Sequence, residues 1–373
     1  MSQKAIRCSV YRGGTSRGVF FHKENLPAEQ KECHRIFMDV MDAYNRSQVD
    51  GLGSGTSHTS KVVVISPPSH PEADVDYTFY QVGVGEEIVD DKGTCGNLMA
   101  AVGAFAINEH YVSGAGSQVE VKAWNTNIDK LISITVPLIN GVPKVQGDYP
   151  MPGTVRTGAK YEVRILNPGG GKTGKTLPLG AIYENEDDRY SFVDLVNPFT
   201  YVAAEDVGLS GTEANDELSS NDSLLSELER IRVHSAVVGG LEPTLEAASN
   251  APAIPKIAIV GKPQTYVTTS GKTVHAEDVD ILAKMISMGN VHRTFAGSGL
   301  YNIAAATYLP GTLPNQFVRN REKNGIIRIG HPDGIAEVAV TPTNDGEDVA
   351  AVGLDRTVRL IMKGDVFVRN AED

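Results

Sequence analysis

Two short segments place glycine directly before a helix-like run of small residues. The first is Cys95-Gly96-Asn97, before residues 98–106, and the second is the fainter copy Ala296-Gly297-Ser298, before residues 300–307. A helix start presents unpaired backbone N–H groups and the positive end of the helix dipole, so both segments could hold an anionic group. Only the first carries a thiol, and a helix start favours the thiolate. The sequence therefore predicts acid–base chemistry at one of two similar sites.

Each residue of the first segment also has a plainer interpretation. A cysteine beside glycine is often a small buried apolar residue rather than a reactive thiol. Gly96 would let a ligand approach the backbone closely. Asn97 could hold a substrate carboxylate or cap the helix, and capping is the favoured interpretation.

Lys61 is the second residue whose position suggests chemistry. It begins an apolar strand-like run, residues 61–65, and follows a polar stretch that ends in Thr59 and Ser60. Removal from water lowers the pKa of a lysine, so a lysine that faces an apolar pocket can act as a base near neutral pH. The alternative is a solvated lysine at the edge of a strand.

Cationic residues accompany three turns of the sequence. Arg12 and Arg17 flank a Gly-Gly-Thr-Ser turn whose N–H and hydroxyl groups could hold a carboxylate, although an ordinary hairpin loop explains the same pattern. Arg293 precedes the second glycine turn, residues 297–299. His331 opens a His-Pro-Asp-Gly segment that is typical of a turn first and of a site second.

The pattern of apolar residues places these candidates on two loosely repeated halves. The first half predicts strands at residues 5–11, 19–21, 61–65, 76–84, 119–121 and 131–136, with a helix after Pro27. The second half predicts strands at 191–196, 199–202, 256–260 and 356–368, with helices at 220–237 and 276–288. Two strand-rich halves, each with a helix behind its glycine turn, indicate gene duplication.

Bulk properties exclude several classes of protein. A net charge of −12 without a basic run argues against a nucleic-acid surface. The three cysteines fit neither a disulfide framework nor a zinc site, and no run approaches the roughly 20 apolar residues of a membrane span. The N-terminus has no signal-like stretch. We therefore expect a cytoplasmic protein with no metal.

Residues 169–176, Gly-Gly-Gly-Lys-Thr-Gly-Lys-Thr, match the phosphate-loop pattern GxxxxGK[ST]. Pro178 and Gly180 stand where the phosphate-binding helix should begin, so the cradle of N–H groups would be incomplete. We interpret the segment as a flexible glycine loop between domains.

Together the motifs resemble one family of isomerases over essentially the whole chain. The resemblance rests on residues 11–18, on Asp50-Gly51-Leu52-Gly53 followed by Thr59-Ser60-Lys61, and on residues 74–77, 95–97, 173–175, 309–312 and 331–334. The family contains 2-methylaconitate cis–trans isomerase, 3-methylitaconate Δ-isomerase, 4-oxalomesaconate tautomerase and aconitate Δ-isomerase. Arg17, Ser298 and residues 300–302 depart from some members, which affects the choice of substrate.

The resemblance implies an α/β (α+β) fold of the diaminopimelate-epimerase type. That fold has two pseudo-symmetric halves, each a β-barrel-like sheet around a central helix, with the site in the cleft. The halves are expected at 1–182 with 352–373 and at 183–351. The resemblance implies that Lys61 and Cys95 are catalytic and that no cofactor is needed, and a homodimer is a further expectation. Substrate contacts are expected from Arg12, Thr15, Ser16, Arg17, Thr59, Ser60, Gly96, Asn97, Arg293, Gly297, Ser298, Gly299 and His331.

The asymmetry between the helix starts selects a reaction. Racemases and epimerases of this fold resemble each other in carrying one thiol at each helix start, whereas Ala296 stands at the second start here. One amine and one thiol suit a 1,3-allylic proton shift in an unsaturated di- or tricarboxylate, such as aconitate, 2-methylaconitate, methylitaconate or 4-oxalomesaconate. The alternatives are a non-catalytic accessory protein to an aconitase-like enzyme and an amino-acid epimerase or racemase.

Overall fold

A computed structural model describes residues 3–319 and 325–370 and divides the chain into two compact units. The first comprises Met1–Leu166 and Leu354–Asp373, and the second comprises Asn167–Gly353. Residues 167–182, which the sequence analysis assigned to the first half, belong to the second unit. Asp194 of that unit accepts hydrogen bonds from the backbone N–H groups of Lys172 and Thr173, which fixes this glycine-rich segment there.

The elements alternate along the chain in the order expected of mixed α/β halves. In the first part they are β1 Gln3–Gly13, β2 Ser16–His22, α1 Gln30–Met41, β3 Lys61–Ser66, β4 Val75–Val82, β5 Val89–Asp90, α2 Gly96–Asn108, β6 Gln118–Asn125, β7 Lys130–Ile139, β8 Val142–Pro143 and β9 Tyr161–Leu166. In the second part they are β10 Tyr183–Glu184, β11 Arg189–Leu195, β12 Asn197–Ala203, α3 Asn215–Ser219, α4 Asp222–Val238, α5 Leu245–Asn250, β13 Lys256–Gly261, β14 Tyr266–Val267, β15 Thr273–Val274, β16 Ile281–Ser287, β17 Asn290–Val291, α6 Gly297–Ala306, α7 Leu313–Phe317, β18 Ile326–His331, β19 Gly334–Pro342, β20 Val349–Arg356 and β21 Val358–Arg369.

In the first unit the main strands pair in the order β21-β1-β2-β3-β4-β6-β7-β9. The β2–β3 and β4–β6 pairs are parallel and the others are antiparallel. In the second unit the order is β11-β12-β13-β16-β18-β19-β20, with parallel β12–β13 and β16–β18 pairs. The two parallel pairs stand at matching places, so the predicted repeat of two similar halves is confirmed.

One apolar helix lies at the centre of each sheet. Every residue of α2 from position 98 to 107 is buried, as expected for a helix that is apolar on all sides. Its Gly103 leaves room for the sheet, because a Cβ there would lie 2.7 Å from side-chain atoms of Ile134 and Val136. In the second unit α6 packs on β11, β12 and β19. Both central helices were predicted close to their observed bounds.

The predicted helix at residues 276–288 is wrong. A 3₁₀ turn at Ala276–Asp278 leads into β16, which pairs with β13 on one side and β18 on the other. Leucine, alanine, lysine and methionine favour helix in isolation, but the first six residues of β16 are all buried. A strand that is buried on both faces has a continuous apolar sequence rather than an alternating one. Strand β16 has seven residues, which is short for a helix.

The hairpin at the start of the chain is tighter than predicted. Strand β1 extends to Gly13 and β2 begins at Ser16, so the turn contains only Gly14 and Thr15. Gly14 has a φ of +53°, a left-handed conformation that favours glycine. Arg12 and Arg17 consequently stand opposite each other in the ladder. Across residues 3–319 and 325–370, no helix is both long and apolar enough to cross a membrane.

Candidate active site

The start of α2 is the first part of the candidate site. Cys95 is the N-cap residue in an extended conformation, and its side chain makes no capping hydrogen bond. The Cys95 Sγ atom lies 3.9 Å from Ser16 Oγ on β2 and is half-buried. The first-turn N–H groups of Gly96 and Asn97 therefore have no side-chain cap. A thiol and free helix-start donors lie together, as the sequence predicted.

Asn97 does not cap the helix, so the favoured sequence interpretation is wrong. It lies within the first turn of α2, and its Nδ2 donates to Thr15 Oγ1 at 3.1 Å and to Ser16 Oγ at 3.4 Å. Its Oδ1 accepts from Arg356 Nε at 2.8 Å. A Cβ at Gly14 would come within 2.2 Å of that Oδ1. Asn97 thus joins the hairpin turn to the helix start.

Lys61 is the first residue of β3 and is 9 % exposed. Its Nζ donates to Gln81 Oε1 at 2.5 Å and lies 5.0 Å from the centroid of the Phe79 ring. Both neighbours are on β4, where Gln81 is the register partner of Lys61. The lysine is therefore held in a mostly apolar environment by one amide oxygen and one aromatic face, and not by a carboxylate.

Gly18 on β2 brings the lysine close to the helix start. A Cβ at Gly18 would lie 2.8 Å from Leu98 Cδ1 in the first turn of α2, 3.1 Å from the Lys61 carbonyl oxygen and 3.5 Å from Lys61 Cβ. Ser16 lies two residues earlier on the same strand face. Lys61 and the first turn of α2 therefore approach each other at Gly18, where there is no side chain to separate them. Cys95, which precedes that turn, has its Sγ beside Ser16 of the same strand β2.

Gln81 is a functional candidate that the sequence analysis missed. Its Nε2 donates to the carbonyl oxygens of Ser60, Ser57 and Val82 at 2.9, 3.1 and 3.3 Å. These bonds orient the amide so that Oε1 points at Lys61. The only sequence signal was a polar residue in the strand antiparallel to the lysine strand, which is too common a pattern to use. Arg356 was missed too, because 259 residues separate it from Asn97.

Arg12 and Arg17 make contacts within the protein. Arg12 Nη1 donates to the Thr357 hydroxyl at 2.6 Å and to the Gly14 carbonyl oxygen at 3.2 Å, and burial lowers the pKa of Arg12. Arg17 Nη2 donates to the Leu52 carbonyl oxygen at 2.8 Å. Both arginines therefore brace the hairpin. Their contact with substrate stays a prediction.

Thr59 and Ser60 precede Lys61 and are also hydrogen bonded. Ser60 is fully buried and accepts a hydrogen bond from Gln48 Nε2 at 2.7 Å. The Thr59 hydroxyl donates to the Thr56 carbonyl oxygen at 3.1 Å. These bonds fix the loop that delivers Lys61 to its strand, and a substrate contact of either residue stays a prediction.

The remaining predicted site residues lie in the second unit. Arg293 is exposed, and the turn 297–299 begins α6 after Ala296, again without a side-chain cap. His331 ends β18, and burial lowers the pKa of His331 to about 4, so its imidazole is neutral at pH 7. The predicted turn at Pro332 and Asp333 is confirmed, and it closes a hairpin of β18 and β19 that was not predicted.

Aromatic rings fill the space beside the second helix start. A Cβ at Gly299 would lie 2.6 Å from a ring atom of Phe295 and 2.7 Å from Phe199 Cζ. Phe199 is the register partner of Lys256, the first residue of β13. The second unit therefore has a lysine at the place that matches Lys61. Aromatic side chains, however, fill the space that Gly18 leaves open in the first unit, and the helix start carries no thiol.

The segment that matches the phosphate loop forms turns. The N–H groups of Lys172 and Thr173 and the hydroxyl of Thr173 donate to Asp194 Oδ2. The donors that would cradle a phosphate are thus bound to a carboxylate. Within the described part of the chain, no group of three or more His, Cys, Asp and Glu side chains is arranged to hold a metal ion.

Comparison with known proteins assigns the chain to a family. The profile described as PrpF protein matches residues 3–369. The chain belongs to the PrpF protein family. It is 38 % identical to a protein named 3-methylitaconate isomerase of Eubacterium barkeri, over 99 % of each chain. It is 36 % identical to one named 2-methyl-aconitate isomerase of Shewanella oneidensis, over 98 % of this chain and 97 % of that one.

A solved structure agrees with this assignment. The crystal structure of a methylitaconate-delta-isomerase has a TM-score of 0.92 and 37 % sequence identity, and the match covers 100 % of this chain and 97 % of that one. The predicted fold and the predicted resemblance are confirmed. This PrpF chain is an isomerase, as the sequence predicted.

Proposed function

We propose that this PrpF chain moves a double bond in an unsaturated di- or tricarboxylate by a 1,3-allylic proton shift. The observation that carries the proposal is that Lys61 and the first turn of α2 approach each other at Gly18, while Cys95 Sγ lies 3.9 Å from Ser16 Oγ. Relatives of nearly full length are named for methylitaconate, methylaconitate and oxalomesaconate, which supports this substrate class.

The chemical problem is the low acidity of a C–H bond in such an acid. Its removal builds negative charge on a dienolate, and stabilisation of that charge is usually the largest catalytic contribution. The uncapped N–H groups of Gly96 and Asn97 and the hydroxyl of Ser16 would donate hydrogen bonds to that charge. Binding of the substrate carboxylates would also fix which C–H bond meets the base.

Lys61 and Cys95 share the proton transfers. The Lys61 amine takes a proton from one end of the allylic system while the double bond moves, and the Cys95 thiol gives a proton to the other end. One C–H bond breaks, one C–H bond forms, and no electrons are gained or lost. Solvent then returns the proton from the ammonium to the thiolate. Rotation about the former double bond would add a cis–trans change.

The other thiols do not offer a two-thiol epimerase mechanism. Cys8 is buried on β1, and burial raises the pKa of its thiol to about 11. Cys33 lies on α1, where burial also raises the thiol pKa, and its Sγ is 3.2 Å from the Pro27 carbonyl oxygen. Neither stands at a helix start, so a single thiol and an amine carry the proposed reaction.

Proton NMR in deuterated water tests the proposal directly. The purified protein is mixed in turn with aconitates, 2-methylaconitates, methylitaconate and 4-oxalomesaconate. We expect one of them to show a moved double bond with deuterium at the carbon that receives the proton. Chirality change without movement of the double bond would favour the epimerase alternative. No exchange with any acid would favour the accessory-protein alternative. The cytoplasmic location and the homodimer stay proposals.

A further inference from the structure

The second unit contains a cavity of about 520 Å³ that the proposed reaction does not use. Its lining comes from α3, from β14 and the turn after it, from β16 and from the β17 region. A volume of this size is typical of sites for small molecules. Lys61 and Cys95 belong to the other unit. Neither residue lines the cavity, whereas Arg293, which the sequence analysis named as a substrate contact, does.

Lys284 makes this cavity unusual. It is only 6 % exposed, yet its Nζ has no hydrogen bond or ion pair with any residue that the structure describes. Buried lysines are rare unless they are paired, because the loss of hydration of the ammonium must be offset. Burial lowers the pKa of Lys284, while the charges of Glu213 and Glu217 act in the opposite direction. The amine thus lines the cavity without a bonded partner.

The nearby carboxylate of Glu213 is bound elsewhere. It accepts hydrogen bonds from the N–H and hydroxyl groups of Ser210 and from the N–H of Gly211, the latter at 3.0 Å. The second acid of the lining, Asp216, is exposed on α3. Arg293 also lines the cavity, is exposed, and has no bonded partner in the described part of the chain. Two cationic groups thus remain available, one inside the cavity and one exposed.

We propose that this cavity is a binding site for a small organic dicarboxylate. One carboxylate accepts a hydrogen bond from Lys284 Nζ inside the cavity, and the other pairs with the guanidinium of Arg293. The planar fork of an arginine suits a carboxylate, and a compact ammonium suits the confined end. The bound anion would supply the partner that Lys284 lacks.

Titration calorimetry with succinate tests the site. The wild-type chain should bind two succinates, one in this cavity and one at the proposed reaction site of Lys61 and Cys95. Lys284→Met keeps the length of the side chain and removes its charge, and it should weaken one binding event at least about tenfold, since hydrogen bonds to charged groups contribute most. Its turnover should equal that of the wild type. The matched control is Lys256→Met, a half-buried lysine of the same unit whose Nζ donates to the Ala253 carbonyl oxygen. It should keep both events.

Two further arms decide the remaining outcomes. Succinamide has the shape of succinate without its charges and should not bind in the cavity. Arg293→Gln changes an exposed residue and should weaken the same succinate-binding event as Lys284→Met. It therefore tests the site even if Lys284→Met does not fold. If both variants bind succinate as the wild type does, or if succinamide binds as well as succinate, the proposal is overturned. A single event that Lys284→Met removes supports this site and argues against succinate binding at Lys61.

Discussion

The two units repeat one arrangement of strands, yet among the described residues only the first unit has a thiol at the start of its central helix. In each unit a parallel pair ends in a strand that begins with lysine, Lys61 or Lys256, and a central helix follows a glycine turn. Beside Lys61 stands Gly18, whereas beside Lys256 stands Phe199. Lys61 bonds a side-chain amide, and Lys256 bonds a backbone carbonyl. The comparison shows that the same topology supplies two matching positions whose side chains differ, which supports the proposal that the first one reacts.

The largest expected effect comes from Lys61→Ala. Removal of the amine should abolish turnover and leave the far-UV circular dichroism unchanged, because the proposed base is lost and the strand is not. The comparison provides its control in Lys256→Ala, which should keep wild-type turnover. Steady-state assays on the substrate found by NMR measure both. Near-wild-type activity in Lys61→Ala, or a matching loss in Lys256→Ala, would contradict the assignment.

Cys95→Ser tests the role of the thiol, which only the first of the two helix starts carries. A hydroxyl keeps the size but not the accessible ionised form, so kcat should fall by about 10²–10⁴-fold, the usual contribution of a general acid or base. Alkylation of the native chain should inactivate it, with protection by substrate. The control is Cys33→Ser, which should remain equally sensitive. A fully active Cys95→Ser enzyme would mean that the thiol is structural.

Ala296→Cys removes the difference between the two helix starts, one of which has a thiol and the other an alanine. It places a second thiol at the start of α6, but Phe199 and Phe295 still occupy the space beside that start. We expect no racemase or epimerase activity, measured by loss of optical rotation of chiral amino acids. The appearance of such activity would show that the missing thiol alone separates the two reactions.

Gln81→Leu should have a smaller effect, because Gln81 positions Lys61 and is not proposed to touch substrate. Loss of the amide oxygen should lower kcat about tenfold, the equivalent of one modest hydrogen bond, and leave KM nearly unchanged. Gln30→Leu, whose amide donates an exposed hydrogen bond to the carboxylate of Asp91, is the matched control. A change in KM without a change in kcat would instead assign Gln81 to substrate binding.

The smallest expected effect concerns stability and the second unit. Burial holds the pKa of His331 near 4, below the value of about 6.5 in an unfolded chain. The unfolded state therefore binds more protons between these pH values, so this contribution to stability is complete above pH 6.5 and is lost as the pH falls towards 4. In His331→Gln, denaturant midpoints should vary less over that window. An unchanged pH dependence would show that His331 titrates normally.

Local sequence determined most of the elements and singled out the residues that we propose to react. Both central helices follow from small-residue runs behind glycine turns, and Lys61 and Cys95 were identified by their place before a strand and a helix. Residues 276–288 show where this failed, because the helical propensity of β16 was outweighed by sheet partners on both sides. Strands β18 and β19 were not predicted, although they form a local hairpin around the predicted turn at residues 331–334.

Only the tertiary structure decided how the candidates are arranged. Asn97 looked like a cap, but the close approach of Gly14 and Arg356 gives its side chain a linking role. Gln81 was recognised as a neighbour of Lys61 only from the strand register. Lys284 was recognised only because it is buried without a bonded partner. Residue type and spacing report local preferences, whereas these features depend on contacts between segments far apart in sequence. The sequence by itself therefore determined which groups could react, and the folded chain decided which of them meet.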